Sequence, residues 1–242
     1  TLFFLFQPYM LMFQVSSWIM AGIGLYIRKP TFNLNELPDK LCWSLNPSRG
    51  FIFSEVYELI RNKGEVKIWW NAVWSKGHTP KHAFILWLAC WDKLSTMYKL
   101  LSWGLNVNPL CTFCRFAYET KEHLFFHCIF TRRIWRIQLQ KCQVSKDLIN
   151  FEDILAFITS TSAGSNLKAL TFKHALACTV YSIWMERNRR IFNNQASTEE
   201  MITTEIARHI KLKFTFCKKQ YAKTLVNCKI CKDWGLSESI IP

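Results

Sequence analysis

Four side chains of metal-binding type lie close together near the middle of the chain. Cys111 and Cys114 are separated by two residues, so their thiolates can bind one ion from a tight turn. His123 and Cys128 follow, with four residues between them. Three thiolates and one imidazole form a complete, soft ligand set. This set favours Zn²⁺ in a structural site over an open catalytic site.

The fourth ligand is open to one physical alternative. On a straight α-helix, positions 123 and 127 lie about 40° apart, whereas positions 123 and 128 lie about 140° apart. His127 therefore competes with Cys128. We favour Cys128 because the helix can begin after His123 and because thiolate binds zinc well. Glu119 and Glu122 can orient the imidazole from outside the metal, although acids at such positions are more often solvated.

Two clusters of arginine follow the four metal-binding residues. Arg can pair with phosphate, and a neighbouring Trp can stack on bases. We predict that both clusters bind RNA or DNA with little sequence preference; the alternative is a buried Trp135 beside a solvated basic face. We place the other tryptophans of residues 69–91 in the core. The clusters consist of Arg132, Arg133 and Arg136, and of Arg187, Arg189 and Arg190.

Composition and charge narrow the classes of function. The 242 residues are 50% hydrophobic and 15% aromatic, which excludes a disordered chain. The net charge of +14 favours a polyanionic partner, either nucleic acid or an anionic membrane face. The sequence has no phosphate-binding loop, dinucleotide turn, nucleophile elbow or H-E-x-x-H motif. We therefore expect no catalysis and no enzyme.

Hydrophobic periodicity predicts a mostly α fold. Together with the four metal-binding residues, it indicates a helical domain around a small loop-helix zinc site of Cys3His type. Capping residues set the expected helix starts: Ser54, Thr79 before Pro80, Ser95 or Thr96, and a capping box from Ser197 to Glu200. The predicted helices cover residues 54–62, 80–91, 96–103, 123–142 and 168–193, and a last helix follows Ser197 with an apolar stripe of Ile202, Ile206, Ile210, Phe214, Cys217 and Tyr221.

The ends of the chain suggest further organisation. Residues 1–27 carry no charge, and residues 9–27 are long enough to cross a bilayer as a helix, with Arg28 and Lys29 on the cytoplasmic side. The alternative is an apolar lead-in packed on the domain. We divide the chain into a lead-in and irregular linker (1–47), a zinc-binding domain (48–142) and a helical C-terminal extension (143–242). We expect core or unpaired thiols at Cys228 and Cys231, with a second metal site or a redox pair as the alternatives.

The region around the metal-binding residues resembles the zinc-binding domain of plant non-LTR (LINE-type) retrotransposon reverse transcriptases. The resemblance spans roughly residues 48–236. The residues that carry it are Phe53-Ser54, Val56-Tyr57, Trp70, Trp74, Pro80-Lys81, Phe84 to Trp87, Leu94 to Thr96, Leu100, Gly104, Cys111, Cys114, Glu119-Thr120, His123 to Phe126, Cys128, Trp135, Ile183 to Asn188, Arg190 to Phe192 and Trp234 to Leu236.

The resemblance implies a function without implying polymerisation. It implies Cys111, Cys114, His123 and Cys128 as the zinc ligands, and His127 falls where the family varies. Neither a polymerase palm nor the spaced acids of an RNase H are present. The implied function is an accessory zinc module for RNA or DNA, which could also contact a reverse transcriptase polymerase domain in the nucleus or cytoplasm. Two alternatives stay open: a protein-interaction module, and a membrane-anchored remnant of such a domain.

Overall fold

The computed structural model describes residues 52–61, 67, 69–161, 166–217 and 219–241. Contacts divide the chain into two units, Thr1–Lys63 and Gly64–Pro242. The predicted boundary between residues 142 and 143 falls within the second unit. The proposed membrane span at residues 9–27 lies outside the described residues. Among the helices that are described, none is long and apolar enough to cross a membrane.

The described part of the chain is helical, as the periodicity predicts, and contains no β-sheet. An isolated antiparallel bridge joins Leu110 to Tyr118. A π-helical turn covers His123–His127 and a 3-10 turn covers Glu238–Ile240. The α-helices are α1 (Phe53–Ile60), α2 (Trp70–Val73), α3 (Pro80–Cys90), α4 (Met97–Ser102), α5 (Ile129–Lys141), α6 (Phe151–Thr161), α7 (Leu167–Phe192), α8 (Glu199–Thr215) and α9 (Leu225–Trp234).

Helix α7 is the centre of the second unit. It contacts α2, α3, α5, α6, α8 and α9. The Asn166 side chain caps it by accepting a hydrogen bond from the Ala169 amide at 2.7 Å. Its apolar stripe of Leu176, Val180 and Ile183 is fully buried. Because the helix is apolar over most of its circumference, it is covered on several sides and serves as the support for the metal-binding loop.

Two predicted N-caps are wrong, Ser197 by one residue and Ser54 by two. The N-cap of α8 is Thr198, whose side chain accepts from the Met201 amide at 3.2 Å. Ser197 is buried instead, and its amide donates to Glu186 at 2.7 Å, so Ser197 does not form the predicted capping box. Helix α1 begins at Phe53 with no side-chain cap.

The stripe of α8 is shorter than predicted. Its members from Ile202 to Phe214 are buried, but the helix ends at Thr215. Cys217 and Tyr221 therefore lie in the connection to α9 and do not continue the helical face.

The tryptophans divide between core and surface. Trp135 is fully buried, and its indole donates to the Leu148 carbonyl at 2.6 Å. Trp69, Trp74 and Trp87 pack against the core while partly exposed. The core prediction is wrong for Trp70 and Trp91, whose exposures are 53% and 44%. Trp91 instead meets the edge of Trp69, with ring centroids 5.5 Å apart.

Candidate metal centre and arginine clusters

A short hairpin-like loop presents the first two cysteines. The Cys111 amide donates to the Ala117 carbonyl at 2.7 Å, and the Arg115 amide donates to the Cys111 carbonyl at 2.9 Å. Arg115 adopts a left-handed conformation with φ +59°, which reverses the chain directly after Cys114. The two thiols thereby lie on one tight turn, as the two-residue spacing predicts.

A π-helical turn brings the other two residues together. The Cys128 amide donates to the His123 carbonyl, five residues earlier, at 2.7 Å. Cys128 then leaves helical geometry with ψ 133° before α5 begins at Ile129. The hydrogen bond from residue i+5 to residue i places Cys128 on the same face of the turn as His123. In a straight α-helix the two residues would instead lie about 140° apart around the axis. The predicted continuous helix over 123–142 is therefore interrupted at this point.

The four side chains form one compact group. The potential ligand atoms of Cys111, Cys114, His123 and Cys128 lie within 4.8 Å of one another. Cys114 Sγ and His123 Nε2 are 3.2 Å apart. Bonds of about 2.0–2.3 Å to a tetrahedral Zn²⁺ separate the ligand atoms by about 3.3–3.8 Å, so small side-chain rotations complete the coordination. The donor set and its spacing fit a structural zinc ion.

Burial and protonation differ across the group. Cys111 and Cys128 are fully buried, while Cys114 and His123 are partly exposed. The interaction between the two buried thiols lowers the pKa of Cys128 and raises the pKa of Cys111. Zinc binding requires thiolates, so binding of the ion releases the protons of the thiols.

The competing ligand lies outside the group. The His127 imidazole is exposed, and its Nε2 atom lies 2.9 Å from the Asn150 side-chain oxygen. Glu122 pairs with Lys121 at 3.1 Å. Cys231 is buried in α9 and Cys228 is partly buried, and within the described part of the chain neither joins a group of metal ligands.

Glu119 has a role that the sequence did not indicate. It is fully buried and is neither solvated nor aimed at the imidazole. One carboxylate oxygen accepts from the Met97 amide at 3.0 Å and from Arg187 Nε and Nη2 at 3.0 and 2.9 Å. The other oxygen accepts from the Thr112 amide at 3.2 Å and hydroxyl at 2.8 Å. Glu119 therefore joins the metal-binding loop, α4 and α7.

The same ion pair removes Arg187 from the predicted nucleic-acid contacts. The Arg187 side chain is only 4% exposed. Its guanidinium also donates to the Ser95 carbonyl at 3.1 Å and lies 4.9 Å from the Trp184 ring centroid. A phosphate cannot reach a guanidinium that is buried and already bonded in this way. Arg187 is a structural residue here, which corrects the prediction.

Arg190 forms a second link between the loop and α7. Its guanidinium lies 4.7 Å from the ring centroids of Phe113 and Phe130, which stack on each other at 5.0 Å. Phe113 lies between the two loop cysteines, and Phe130 lies at the start of α5. Arg190 also donates to Glu186 at 2.8 Å. The stack therefore ties both sides of the metal-binding group to one helix.

Glu186 organises the remainder of this arginine cluster. Its side chain is buried and pairs with both Arg189 and Arg190. Burial acts to raise the pKa of Glu186, but hydrogen bonds from Arg190, Arg189 and the Ser197 amide outweigh it and lower the pKa below its ordinary value. Arg189 is 38% exposed, and it is the most open arginine of the second cluster.

The first cluster lies on the surface of α5. Arg132 and Arg136 share Asp147, at 3.1 and 2.8 Å, and Arg133 pairs with Glu199 at 3.3 Å. The hydrogen bond from Arg136 lowers the pKa of Asp147, and Asp147 in turn raises the pKa of Arg136. We call Arg132, Arg133 and Arg136 the α5 arginine ridge. Their exposures of 36%, 62% and 51% leave these guanidiniums accessible.

Comparison with known proteins identifies the kind of metal site. No curated protein and no solved structure matches the chain. Residues 51–135 match a family model described as zinc-binding in reverse transcriptase, zf-RVT. The matched segment contains all four residues of the Cys3His group. The family and the group together assign Zn²⁺ as the cofactor, and residues 51–135 are similar to the zinc-binding segment of reverse transcriptases.

Proposed function

We propose that residues 64–242 form a non-catalytic, zinc-stabilised module of reverse-transcriptase origin that binds RNA or DNA through basic charge. The observation that carries this proposal is the α5 arginine ridge. It begins four residues after Cys128, on a helix that starts directly beyond this residue of the metal-binding group. Bound zinc would fix where the helix starts and hence where the three guanidiniums point.

The acids beside the ridge do not prevent phosphate binding. Asp147 is shared between Arg132 and Arg136, and all three ion pairs of the ridge are at least partly solvated. Surface ion pairs contribute little to stability, and a phosphate can replace a carboxylate as the partner of a guanidinium. The net charge of +14 attracts polyanions over a longer range. We therefore propose binding that is strong at low salt and nearly independent of sequence.

The ligand set supports a structural rather than a catalytic role. A Cys3His group supplies four protein ligands and leaves no open position on a tetrahedral ion. We also propose an origin in a plant non-LTR retrotransposon, as the resemblance implies. Such an origin makes the polymerase domain of a reverse transcriptase the first protein partner to test.

Equilibrium binding of labelled RNA and DNA at several salt concentrations tests the function. Replacing Arg132, Arg133 and Arg136 with Gln removes three positive charges and keeps most of the helix propensity. We expect weaker binding of both nucleic acids. The slope of log K against log salt should become shallower by up to about 2 to 3 units if each guanidinium contacts a phosphate.

Asp147→Asn tests the same residues in the opposite direction. The lowered pKa of Asp147 keeps it ionised at neutral pH, where it competes with phosphate for Arg132 and Arg136. We expect the Asn variant to bind nucleic acid more tightly. Unchanged affinity in both variants would contradict the proposal, as would an unfolded triple variant. Salt-independent capture of a polymerase domain, without nucleic-acid binding, would favour a protein-interaction module instead.

A further inference from the structure

A separate pocket of about 240 Å³ lies at the C-terminal end of α8. Its lining includes Lys76 before α3, Lys213 on α8 and Lys219 after α8. No carboxylate occurs among the described lining residues, and within the described chain Lys76 and Lys213 form no ion pair. The pocket therefore combines a concave, partly open shape with positive charge.

Aromatic side chains form the rest of this pocket. Phe214 and Tyr221 are buried in its wall, whereas Phe216 directly after α8 is 82% exposed. The Lys219 ammonium lies 5.0 Å from the Tyr221 ring centroid. An exposed Phe ring leaves a large apolar surface in contact with water. Stacking of a planar group on the ring is favourable because it removes this surface from water. The pocket thus offers a stacking surface beside cationic side chains.

Backbone conformation keeps one lysine at the pocket. Gly77 has φ +69°, and a Cβ atom there would lie 3.2 Å from Lys213 Cε. Glycine at this position leaves the space that the lysine side chain occupies. His174 also lines the pocket; burial and nearby Lys213 lower its pKa to about 4, so it presents a neutral imidazole at physiological pH. A neutral imidazole can both donate and accept a hydrogen bond.

We propose that this pocket binds one base of a single-stranded nucleic acid, stacked on Phe216, with the adjoining phosphate held by the three lysines. The proposal rests on the proposed function and adds a second contact region to the α5 arginine ridge. A volume of 240 Å³ is below that of most small-molecule sites, and it suits one planar ring system. Bases in a duplex are already stacked and paired, so the pocket selects single strands.

Two sets of variants that lose the same charge distinguish binding at the pocket from binding through overall positive charge. The pocket variant carries Lys76→Gln, Lys213→Gln and Lys219→Gln. The control carries Lys223→Gln, Lys229→Gln and Lys232→Gln, which removes the same charge from exposed positions outside the pocket. Phe216→Ala removes the stacking surface, and Leu225→Ala is its control because Leu225 is 91% exposed and lies outside the pocket.

Fluorescence anisotropy with a labelled oligo-rU 12-mer and a 12-base-pair duplex is the measurement. We expect Phe216→Ala to weaken single-strand binding about tenfold and to leave duplex binding unchanged, while Leu225→Ala changes neither. The pocket lysine variant should weaken single-strand binding more than its control, with a salt slope shallower by about 2 units. Photo-crosslinks from 4-thiouridine should map to residues 214–221.

Each contrary result has a distinct meaning. If the wild-type protein binds neither oligonucleotide at low salt, the proposed function fails together with the pocket. If it binds both but the pocket and control variants lose affinity equally, or Phe216→Ala changes nothing, the pocket proposal alone is overturned. The pocket proposal alone is also overturned if the pocket lysine variant keeps its affinity for both oligonucleotides and loses only its binding to vesicles that contain an anionic phospholipid. Because Phe216 is exposed, its variant remains informative if the lysine variant does not fold.

Discussion

At the scale of single residues, Cys128 and His127 differ in where the π-helical turn places them. Cys128 is buried within the metal-binding group, whereas His127 contacts Asn150 at the surface. We expect Cys128→Ser to weaken zinc binding at least tenfold, because the hydroxyl is a poor replacement for thiolate, and His127→Ala to leave it nearly unchanged. Competition against a chromophoric zinc chelator measures both affinities. Equal losses in the two variants would indicate a Cys2His2 site.

Glu119 is the residue whose replacement should affect stability most. Glu119→Gln leaves the Arg187 charge buried without its counter-ion, and breaking a buried pair in this way costs about 3–5 kcal/mol. Glu122→Gln is the matched control, since its carboxylate is 43% exposed and meets only Lys121 among the described contacts. Urea denaturation measures the free energy of unfolding of each variant and of the wild-type protein. A loss below about 1 kcal/mol for Glu119→Gln would mean that the buried pair is not essential.

The sequence revealed these residues to different degrees. Metal ligands can be recognised from local spacing, because the two pairs of ligands are each presented by a few adjacent residues. Glu119 and Arg187 each occur in a motif of the family resemblance, but 68 residues separate them. Nothing in local sequence indicates that they meet. Arg187 was therefore predicted as a surface cation and Glu119 as a solvated acid.

At the scale of elements, apolar stripes predicted the helices well and their interruptions poorly. The positions of α7 and α8 were close to the prediction because each stripe repeats over several turns. The break at Cys128, between the π-helical turn and α5, was not predicted, since both halves satisfy helical periodicity when considered separately. The cap of α8 was predicted at Ser197 and lies at Thr198. Tertiary contact decided it, because the Glu186 carboxylate binds the Ser197 amide.

Helices α3, α7 and α8 meet at a cluster of histidines that should make the fold sensitive to acid. His82 lies 5.1 Å from His209 and 4.7 Å from Tyr181, measured between ring centroids, and its Nε2 atom is buried without a hydrogen-bond partner. Burial, then the neighbouring His209, Lys81 and His174, lower the pKa of His82 to about 3. The pKa of His174 is lowered to about 4, chiefly by burial.

The sign of the pH effect follows from these shifts. Below the ordinary histidine pKa of 6.5 the unfolded chain binds protons that the folded chain does not. Stability is therefore complete above about pH 6.5. It falls below that pH, down to about pH 4 for His174 and about pH 3 for His82, by up to about 1.4 kcal/mol per pH unit for each histidine. His82→Phe removes one titrating group without removing a hydrogen bond of its Nε2 atom.

Urea midpoints at pH 7.5 and pH 5 measure this effect. We expect the drop in midpoint on acidification to be smaller in His82→Phe than in the wild-type protein. Zinc loss at acid pH affects both proteins alike, so the difference between them reports the histidine. An identical drop in both proteins would show that His82 does not titrate during unfolding.

At the scale of the whole molecule, the metal-binding loop and the C-terminal helices are one structural system. The matched family segment ends at residue 135, but the contacts of the loop continue to α7 through Glu119–Arg187 and through Phe113–Arg190. Both arginines lie near the C-terminal end of α7. Thr112 and Phe113, which take part in these contacts, are the two residues between Cys111 and Cys114. Metal binding at the loop should therefore stabilise the C-terminal end of α7, more than fifty residues away in sequence.

Hydrogen exchange measured with and without bound zinc tests this coupling. Removing zinc with a chelator should speed amide exchange in residues 109–128 and also in residues 183–192 of α7, because both links depend on the loop conformation. Residues 225–234 of α9 are the internal control. They contact α5, α7 and α8, and no residue of α9 is bonded to the loop in the described structure.

Arg187→Lys sharpens the comparison, since lysine keeps the charge but cannot repeat the two guanidinium bonds to Glu119. In that variant the zinc-dependent protection of residues 183–192 should shrink while that of residues 109–128 persists. If chelation changes exchange only within residues 109–128, the metal stabilises its own loop alone. Faster exchange throughout residues 69–241 would instead mean that the fold as a whole requires the ion. Protection that declines from the loop along α7 is the pattern expected from the two arginine links.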